Sequence, residues 1–245
     1  MNSTIAQDQL IAKDVLFYKV DKLGNVYIVD NQNNFTKYEP QVPRYTKFAD
    51  LKAGKIHSID VSNPLRVLVY YADQFIVKFL DVNLTEISSF NLKDSYPDGW
   101  IRLACASNNN GLWLYEELNR KLIKVGEQLN TQLQTGDLYL ITRKRLNPYY
   151  MIEYSDELYL CDQKNGIFVF DLLGGYKRTI PVYASGFISF NKDAVIYDTD
   201  KYLLSYARLS TDTLMNYTGI KMAQKGLAGY YYLSSTNDLY FKKDL

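Results

Sequence analysis

Short runs of β-branched and aromatic residues recur along this chain, and each run ends in or beside a turn that carries an acidic residue. The centres of successive runs are separated by 42, 44, 46, 37 and 44 residues. A repeat of this length with several short strands is typical of β-propeller blades. The pattern predicts an all-β propeller of six four-stranded blades, with seven blades or another all-β arrangement, such as a sandwich, as alternatives. The central residues are Tyr27, Val69, Trp113, Tyr159, Ile196 and Tyr240.

The sixth repeat is shorter than the others. Its strand-like runs cover residues 229–233 and 239–241, which leaves an open sheet edge. Because propellers generally close by pairing the two chain ends, we predict that residues 9–13 pair into the last blade. Helix is expected nowhere except at residues 137–145, since apolar residues at helical spacing are absent elsewhere.

The 245 residues are predicted to form a single propeller domain over residues 8–245. Residues 1–7 contain small and polar residues leading to Ala6, which is typical of the end of a secretory signal peptide, with a disordered N-terminus as the alternative. We therefore expect a periplasmic or otherwise exported protein. Cys105 and Cys161 are interpreted as buried apolar side chains, or alternatively as a disulfide between neighbouring blades.

The net charge of +1 gives no general attraction to nucleic acid, and no stretch is apolar enough to predict a transmembrane helix. We expect no nucleic-acid partner, a protein partner, and a monomer. The basic run Arg143-Lys144-Arg145 is predicted to lie in a solvated loop, with contact to a phosphate or an acidic partner as the alternative.

Motifs for catalysis are missing from the sequence. There is no Gly-x-Ser-x-Gly and no glycine-rich phosphate loop, and His57 is the single histidine. No catalytic residue, metal ligand or cofactor is therefore predicted. Acidic residues at strand ends are interpreted as turn caps, with a divalent cation in a central channel as the alternative. They are Asp30, Asp73, Asp81, Asp162, Asp171 and Asp198.

Two Asn-Pro pairs occupy comparable places in the second and fourth repeats, and arginine and aromatic residues follow them. These residue types are enriched at binding hot spots, and loops commonly carry binding function. We expect them to contribute to a partner-binding face. The predicted face comprises Asn63, Arg66, Trp100, Arg102, Asn147, Tyr149 and Tyr150.

The stretch Asp-x-x-Gly-Asn-x-Tyr-Ile-Val-Asp at residues 21–30, followed by Thr36-Lys-Tyr38, resembles NHL-type six-bladed propeller repeats. Residues 59–71 and 166–171 are similar to a little-characterised family of small exported bacterial propellers. The resemblance implies the propeller architecture and an association with an outer-membrane or type nine secretion assembly. The missing catalytic motifs and the aromatic loop residues favour a non-enzymatic interaction scaffold of the cell envelope. The alternative is a channel-site ligand or glycan binder, or a metal-dependent lactonase-like hydrolase.

Overall fold

The chain forms six four-stranded antiparallel sheets, each folded as a meander, and is a six-bladed β-propeller as predicted. The computed structural model describes residues 8–50, 52–192, 194–199, 201–216 and 218–244. Residues 1–7, the predicted signal-peptide end, lie outside the described residues. Contacts between residues divide the chain into two compact units. Unit one contains residues 1–49 and 184–245, and unit two contains residues 50–183.

Each unit contains three of the six sheets. Unit one begins with β1 (Gln9–Ala12), β2 (Val15–Val20), β3 (Val26–Asp30), β4 (Phe35–Glu39) and β5 (Arg44–Phe48). Unit two contains β6 (Ser58–Asp60), β7 (Val67–Tyr71), β8 (Ile76–Leu80), β9 (Glu86–Asn91), α1 (Leu92–Ser95), β10 (Ile101–Ala106), β11 (Leu112–Glu116), β12 (Lys121–Val125), β13 (Thr131–Gln134), α2 (Leu138–Thr142), β14 (Pro148–Tyr154), β15 (Glu157–Asp162), β16 (Gly166–Asp171) and β17 (Tyr176–Ile180). Unit one continues with β18 (Ile188–Asn191), β19 (Ala194–Asp198), β20 (Tyr202–Ala207), β21 (Ser210–Asn216), β22 (Ile220–Lys225), β23 (Gly229–Ser234) and β24 (Leu239–Lys243).

The N-terminal strand completes the sixth sheet, whose order is β1-β24-β23-β22. Gln9 is opposite Phe241 and Leu10 is opposite Tyr240, so the predicted pairing of the chain ends is confirmed. The Tyr232 hydroxyl donates to Asp8 at 2.6 Å and holds the beginning of this strand. The sequence pattern missed one strand of this blade, β22. Residues 229–233 belong to its second strand, because β22 precedes them and carries too few β-branched or aromatic residues to be recognised.

Aspartates close several hairpins, as the sequence predicted. Asp30 accepts from the backbone N–H groups of Gln32 and Asn34 at 2.9 and 2.8 Å. Asp171 accepts in the same way from Leu173 and Gly175, each at 2.8 Å. A carboxylate that satisfies two turn amides fixes the hairpin length, and this explains the acidic residue at each of these strand ends.

Apolar faces of neighbouring sheets form the core of each unit. In unit two, the fully buried Trp113 packs in a cluster that includes Cys105, and its indole N–H donates to Glu153 at 2.6 Å. Both cysteines are buried thiols, and burial raises the pKa of the Cys105 thiol. The interpretation of the cysteines as buried apolar side chains therefore agrees with the structure. No disulfide joins them.

The described part of the chain contains two short α-helices. Helix α2 lies within residues 137–145, where helix was expected. Helix α1 lies outside that range and was not predicted, because its four residues are too few to show a helical spacing of apolar residues. Asp137 caps this helix by accepting from the Tyr139 backbone N–H at 2.8 Å. Among the described residues, no helix has the length and apolar character needed to cross a membrane.

Candidate functional site

A cavity of about 440 Å³ lies in unit one, between the sheet formed by β2–β5 and the sheet closed by β1. We call it the seam cavity. Strand β1, the turn that follows β4, and strands β23 and β24 with the turn between β22 and β23 all contribute to its wall. The lining residues are Gln9, Ile11, Gly24, Tyr38, Pro40, Gln41, Pro43, Leu227, Ala228, Tyr231 and Phe241.

Aromatic rings held by their own packing form much of the seam cavity wall. Tyr38 stacks on Tyr45 with ring centroids 4.6 Å apart, and Tyr231 packs against Phe241 at 4.8 Å. The Tyr18 hydroxyl donates to the Tyr231 backbone oxygen at 2.6 Å, which fixes β23 beneath the cavity. The wall is therefore preorganised, and a ligand would not have to order these rings.

The polar groups of the seam cavity are neutral. None of its lining residues is an acid or a base that ionises near neutral pH. Burial raises the pKa of the Tyr231 hydroxyl to about 12, so this hydroxyl stays protonated. Gln9 and Gln41 supply amide groups that both donate and accept hydrogen bonds. The cavity is thus suited to an uncharged molecule with apolar rings and a few polar atoms.

Leu227 lies at the edge of this cavity and remains 64% exposed. It reaches over Gly24, where an added Cβ would approach the Leu227 Cδ1 atom to 2.9 Å. Gly24 has a φ of +83°, a conformation that glycine adopts without strain. Glycine at position 24 therefore leaves space for the Leu227 side chain and also adopts the positive φ of this turn without strain.

Asp198, at the end of β19, is a second unusual feature of unit one. Its side chain is fully buried, and neither carboxylate oxygen has a partner in hydrogen-bonding geometry among the described residues. Burial raises the pKa of this carboxyl from 3.8 to about 7, against the opposing influence of the Gly186 and Ala223 backbone amides and the Lys19 ammonium. Lys19 itself lies 3.5 Å from the centre of the Phe187 ring.

The comparable Asp162 in unit two is satisfied. It accepts from the backbone N–H groups of Asn147, Lys164 and Asn165. The prediction that Asp198 caps a turn is therefore wrong for its side chain, although its backbone oxygen accepts from Ser185 at 2.9 Å. This difference could not be predicted from the sequence, because both aspartates end a strand of the same type. Only the packing around Gly186, where an added Cβ would lie 2.8 Å from Asp198 Oδ1, distinguishes them.

The predicted partner-face residues all lie in unit two, but at two different places. Trp100, Arg102 and Asn147 are close together near the beginnings of β10 and β14. The Arg102 guanidinium donates to Asn147 at 2.5 Å and to Glu117 at 2.7 Å. Trp100 is 53% exposed, and Phe75 packs edge-on against its ring. These three residues form one continuous surface.

The other predicted residues lie apart from that surface or beneath it. Asn63 and Arg66 belong to the loop after β6, at the opposite end of the strands, and the Arg66 guanidinium lies 3.2 Å from the centre of the Phe79 ring. Tyr149 is partly buried, and Tyr150 is only 8% exposed. A contribution of these seven residues to partner binding stays a prediction. The described residues contain no group of three His, Cys, Asp or Glu side chains that would hold a metal ion.

The six sheets define this protein as a six-bladed β-propeller, and one unit carries a cavity lined in part by aromatic residues. Among solved structures it is similar to a streptogramin B lyase, with a TM-score of 0.60 and 13% identity over 98% of this chain and 87% of that one. It is also similar to a catalytically inactive virginiamycin B lyase from Staphylococcus aureus with quinupristin, with a TM-score of 0.62 and 15% identity over 97% and 87% of the two chains. No protein-family model matches the chain, and no curated protein sequence matches it either.

These similarities correct the functional expectation. The chain was expected to be a non-enzymatic scaffold of the cell envelope, whereas the two solved structures named above, which share its fold over nearly its whole length, are lyases, which are enzymes. The scaffold hypothesis is therefore set aside. At 13–15% identity the similarity shows the fold alone.

Proposed function

We propose that this protein binds a small, uncharged organic molecule in the seam cavity. The observation that carries the proposal is the cavity itself, because its volume of about 440 Å³ and its aromatic wall match those of ligand pockets in proteins. Tyr38, Tyr231 and Phe241 supply ring faces and edges for stacking. Gln9 and Gln41 supply the few polar groups that orient a ligand.

The fold comparison supports this proposal in one respect. The similar structure of the virginiamycin B lyase is one with quinupristin. Quinupristin is one probe for this chain, and a panel of smaller neutral aromatic compounds matches the volume and uncharged lining of the seam cavity.

Thermal unfolding in the presence of these compounds tests ligand binding. A ligand that binds the folded state stabilises it by about 2.7 kcal/mol at a hundred times its Kd, which raises Tm by several degrees. We expect some neutral compounds to raise the Tm of the unchanged protein but not that of Leu227→Asp, because the new carboxylate places a charge at the edge of the cavity. Leu209→Asp is the matched control, since Leu209 is 89% exposed in the same unit and does not line the cavity. Equal stabilisation of both variants by the ligand would show that it binds outside the seam cavity.

Asp198 favours a second candidate function, which is acid–base catalysis. A carboxyl with a pKa of about 7 exchanges a proton readily at neutral pH, as a general acid or base must. Because the side chain is fully buried, contact with a substrate requires residues packed against it, such as Gly186, to move aside. Mass spectrometry of quinupristin and of simple esters after incubation with the protein would reveal elimination or hydrolysis. Turnover that persists in Asp198→Asn would exclude this role.

Export and the monomeric state stay predictions. Expression from the complete reading frame, followed by cell fractionation and mass spectrometry of the N-terminus, tests export. An intact Met1 in the cytosol would contradict it. Light scattering coupled to size-exclusion chromatography determines the oligomeric state.

A further inference from the structure

Helix α2 displays an exposed apolar run in the connection between β13 and β14 of unit two. Tyr139, Leu140 and Ile141 are 42%, 60% and 37% exposed. Other large exposed apolar side chains among the described residues occur singly, not three in succession. Isolated exposed leucines are ordinary on protein surfaces, but a contiguous apolar group marks a contact site.

The run is held firmly. Leu138 is buried in the core of unit two, and the Thr142 hydroxyl donates to the Leu138 backbone oxygen at 2.7 Å. Asp137 caps the helix and also accepts from the Arg120 guanidinium at 2.9 Å. The three apolar side chains therefore project from a fixed turn, so a contact made through them needs no further ordering of the backbone.

Three cations follow the apolar run directly. Arg143 ends α2 with a left-handed φ of 56°, and Lys144 and Arg145 continue the chain, all with exposed side chains. Within the described part of the chain, none of these three side chains forms an ion pair. The α2 patch is defined as Tyr139, Leu140, Ile141, Arg143, Lys144 and Arg145.

We propose that the α2 patch docks this protein onto an anionic lipid surface. The apolar side chains enter the boundary between headgroups and acyl chains, while the three cations contact lipid phosphates. A purely basic patch would suit a soluble polyanion equally well, and a purely apolar patch would suit a protein groove. Apolar residues directly beside cations match a membrane surface, where charged headgroups cover apolar acyl chains. This docking is independent of the seam cavity, which belongs to unit one.

Co-sedimentation with vesicles tests the docking. We expect the protein to bind vesicles of phosphatidylcholine mixed with phosphatidylglycerol and to bind phosphatidylcholine alone much less. Each basic residue near an anionic surface strengthens binding roughly fivefold, so the variant R143Q/K144Q/R145Q should bind on the order of 100-fold more weakly. The variant K22Q/K192Q/K243Q is the matched control, because it removes three exposed lysines from unit one and changes the net charge equally. Equal weakening of both variants would show a net-charge effect and overturn the proposal.

A second pair of variants tests the apolar part. Leu140→Asn should weaken vesicle binding several-fold, whereas Leu65→Asn, at a loop leucine that is 68% exposed, should not. Thermal unfolding shows whether each variant remains folded. Heparin serves as a soluble polyanion. Binding to heparin without binding to anionic vesicles, or vesicle binding that is unchanged in Leu140→Asn, would overturn the membrane assignment.

Discussion

Asp198 makes the stability of this protein depend on pH in a direction opposite to that of an ordinary paired carboxylate. Its folded-state pKa of about 7 lies above its ordinary value of 3.8, so the folded state binds this proton more tightly than the unfolded state does. The contribution is fully favourable below about pH 4 and is lost as the pH rises towards 7.

Replacing Asp198 with asparagine should therefore stabilise the protein at pH 8 and change little at pH 4. The cost of ionising the buried carboxyl is about 4 kcal/mol, at 1.36 kcal/mol for each unit of pKa difference. Urea unfolding at the two pH values measures the effect. Asp171→Asn is the control, because Asp171 is a turn carboxylate with satisfied hydrogen bonds. A wild-type stability that does not fall over this range would show that Asp198 remains ionised.

Gly166 provides a second test at the scale of one residue. Its φ is +93°, and an added Cβ would lie 2.6 Å from the Ile180 backbone oxygen. Gly166→Ala combines backbone strain with a contact to a strand that cannot move freely, and we expect a loss of roughly 2–4 kcal/mol in unfolding free energy. Gly136→Ala should have little effect, since the nearest atom to its added Cβ is 3.9 Å away. Equal Tm values for the two variants would contradict the steric argument.

Strand β1 contributes both to the sixth sheet and to the seam cavity. It pairs on one side with β24 and contributes Gln9 and Ile11 to the seam cavity. The Ile11 backbone oxygen also accepts from the Tyr45 hydroxyl at 3.3 Å. Closure of the sixth sheet and completion of the cavity wall therefore depend on the same four residues.

Removing residues 1–12 should leave β24 as an unprotected edge. We expect its backbone amides to exchange with deuterium faster, together with a lower Tm and a tendency to aggregate. Amides of β15 and β16 in unit two serve as an internal reference and should keep their protection. Unchanged exchange in β24 after the truncation would show that the pairing contributes little.

Tyr232→Phe, which removes only the hydrogen bond to Asp8, should lower the free energy of unfolding by about 1 kcal/mol.

The elements that the sequence predicted well are those with strong local patterns. Strand β3 combines β-branched and aromatic residues with an acidic turn, and its pattern is visible without any tertiary information. Strand β22 escaped prediction because Met222, Ala223 and Gln224 become a buried strand only through packing within the sixth sheet. The seam cavity escaped prediction for a similar reason, since its wall joins segments that are distant in sequence.

Buried tyrosine hydroxyls occur throughout the described parts of both units. Burial raises the pKa of Tyr115 to about 12 and that of Tyr231 to the same range, and it raises the pKa of Tyr70 and Tyr27 further. These tyrosines come from both units. Each of them ionises near pH 10 in an unfolded chain, so each one favours the folded state below that pH.

Alkaline titration should therefore unfold the protein cooperatively. The stability that the buried phenols provide is present below about pH 10 and is lost as the pH rises from there towards the folded-state values, because unfolding releases their protons. Phenolate absorbance and far-ultraviolet circular dichroism, followed together, should change in one step above pH 10. In concentrated urea the absorbance should instead follow a broad titration centred near pH 10. Complete phenolate formation near pH 10 with the β-sheet signal intact would show that these hydroxyls are accessible to solvent in the folded protein.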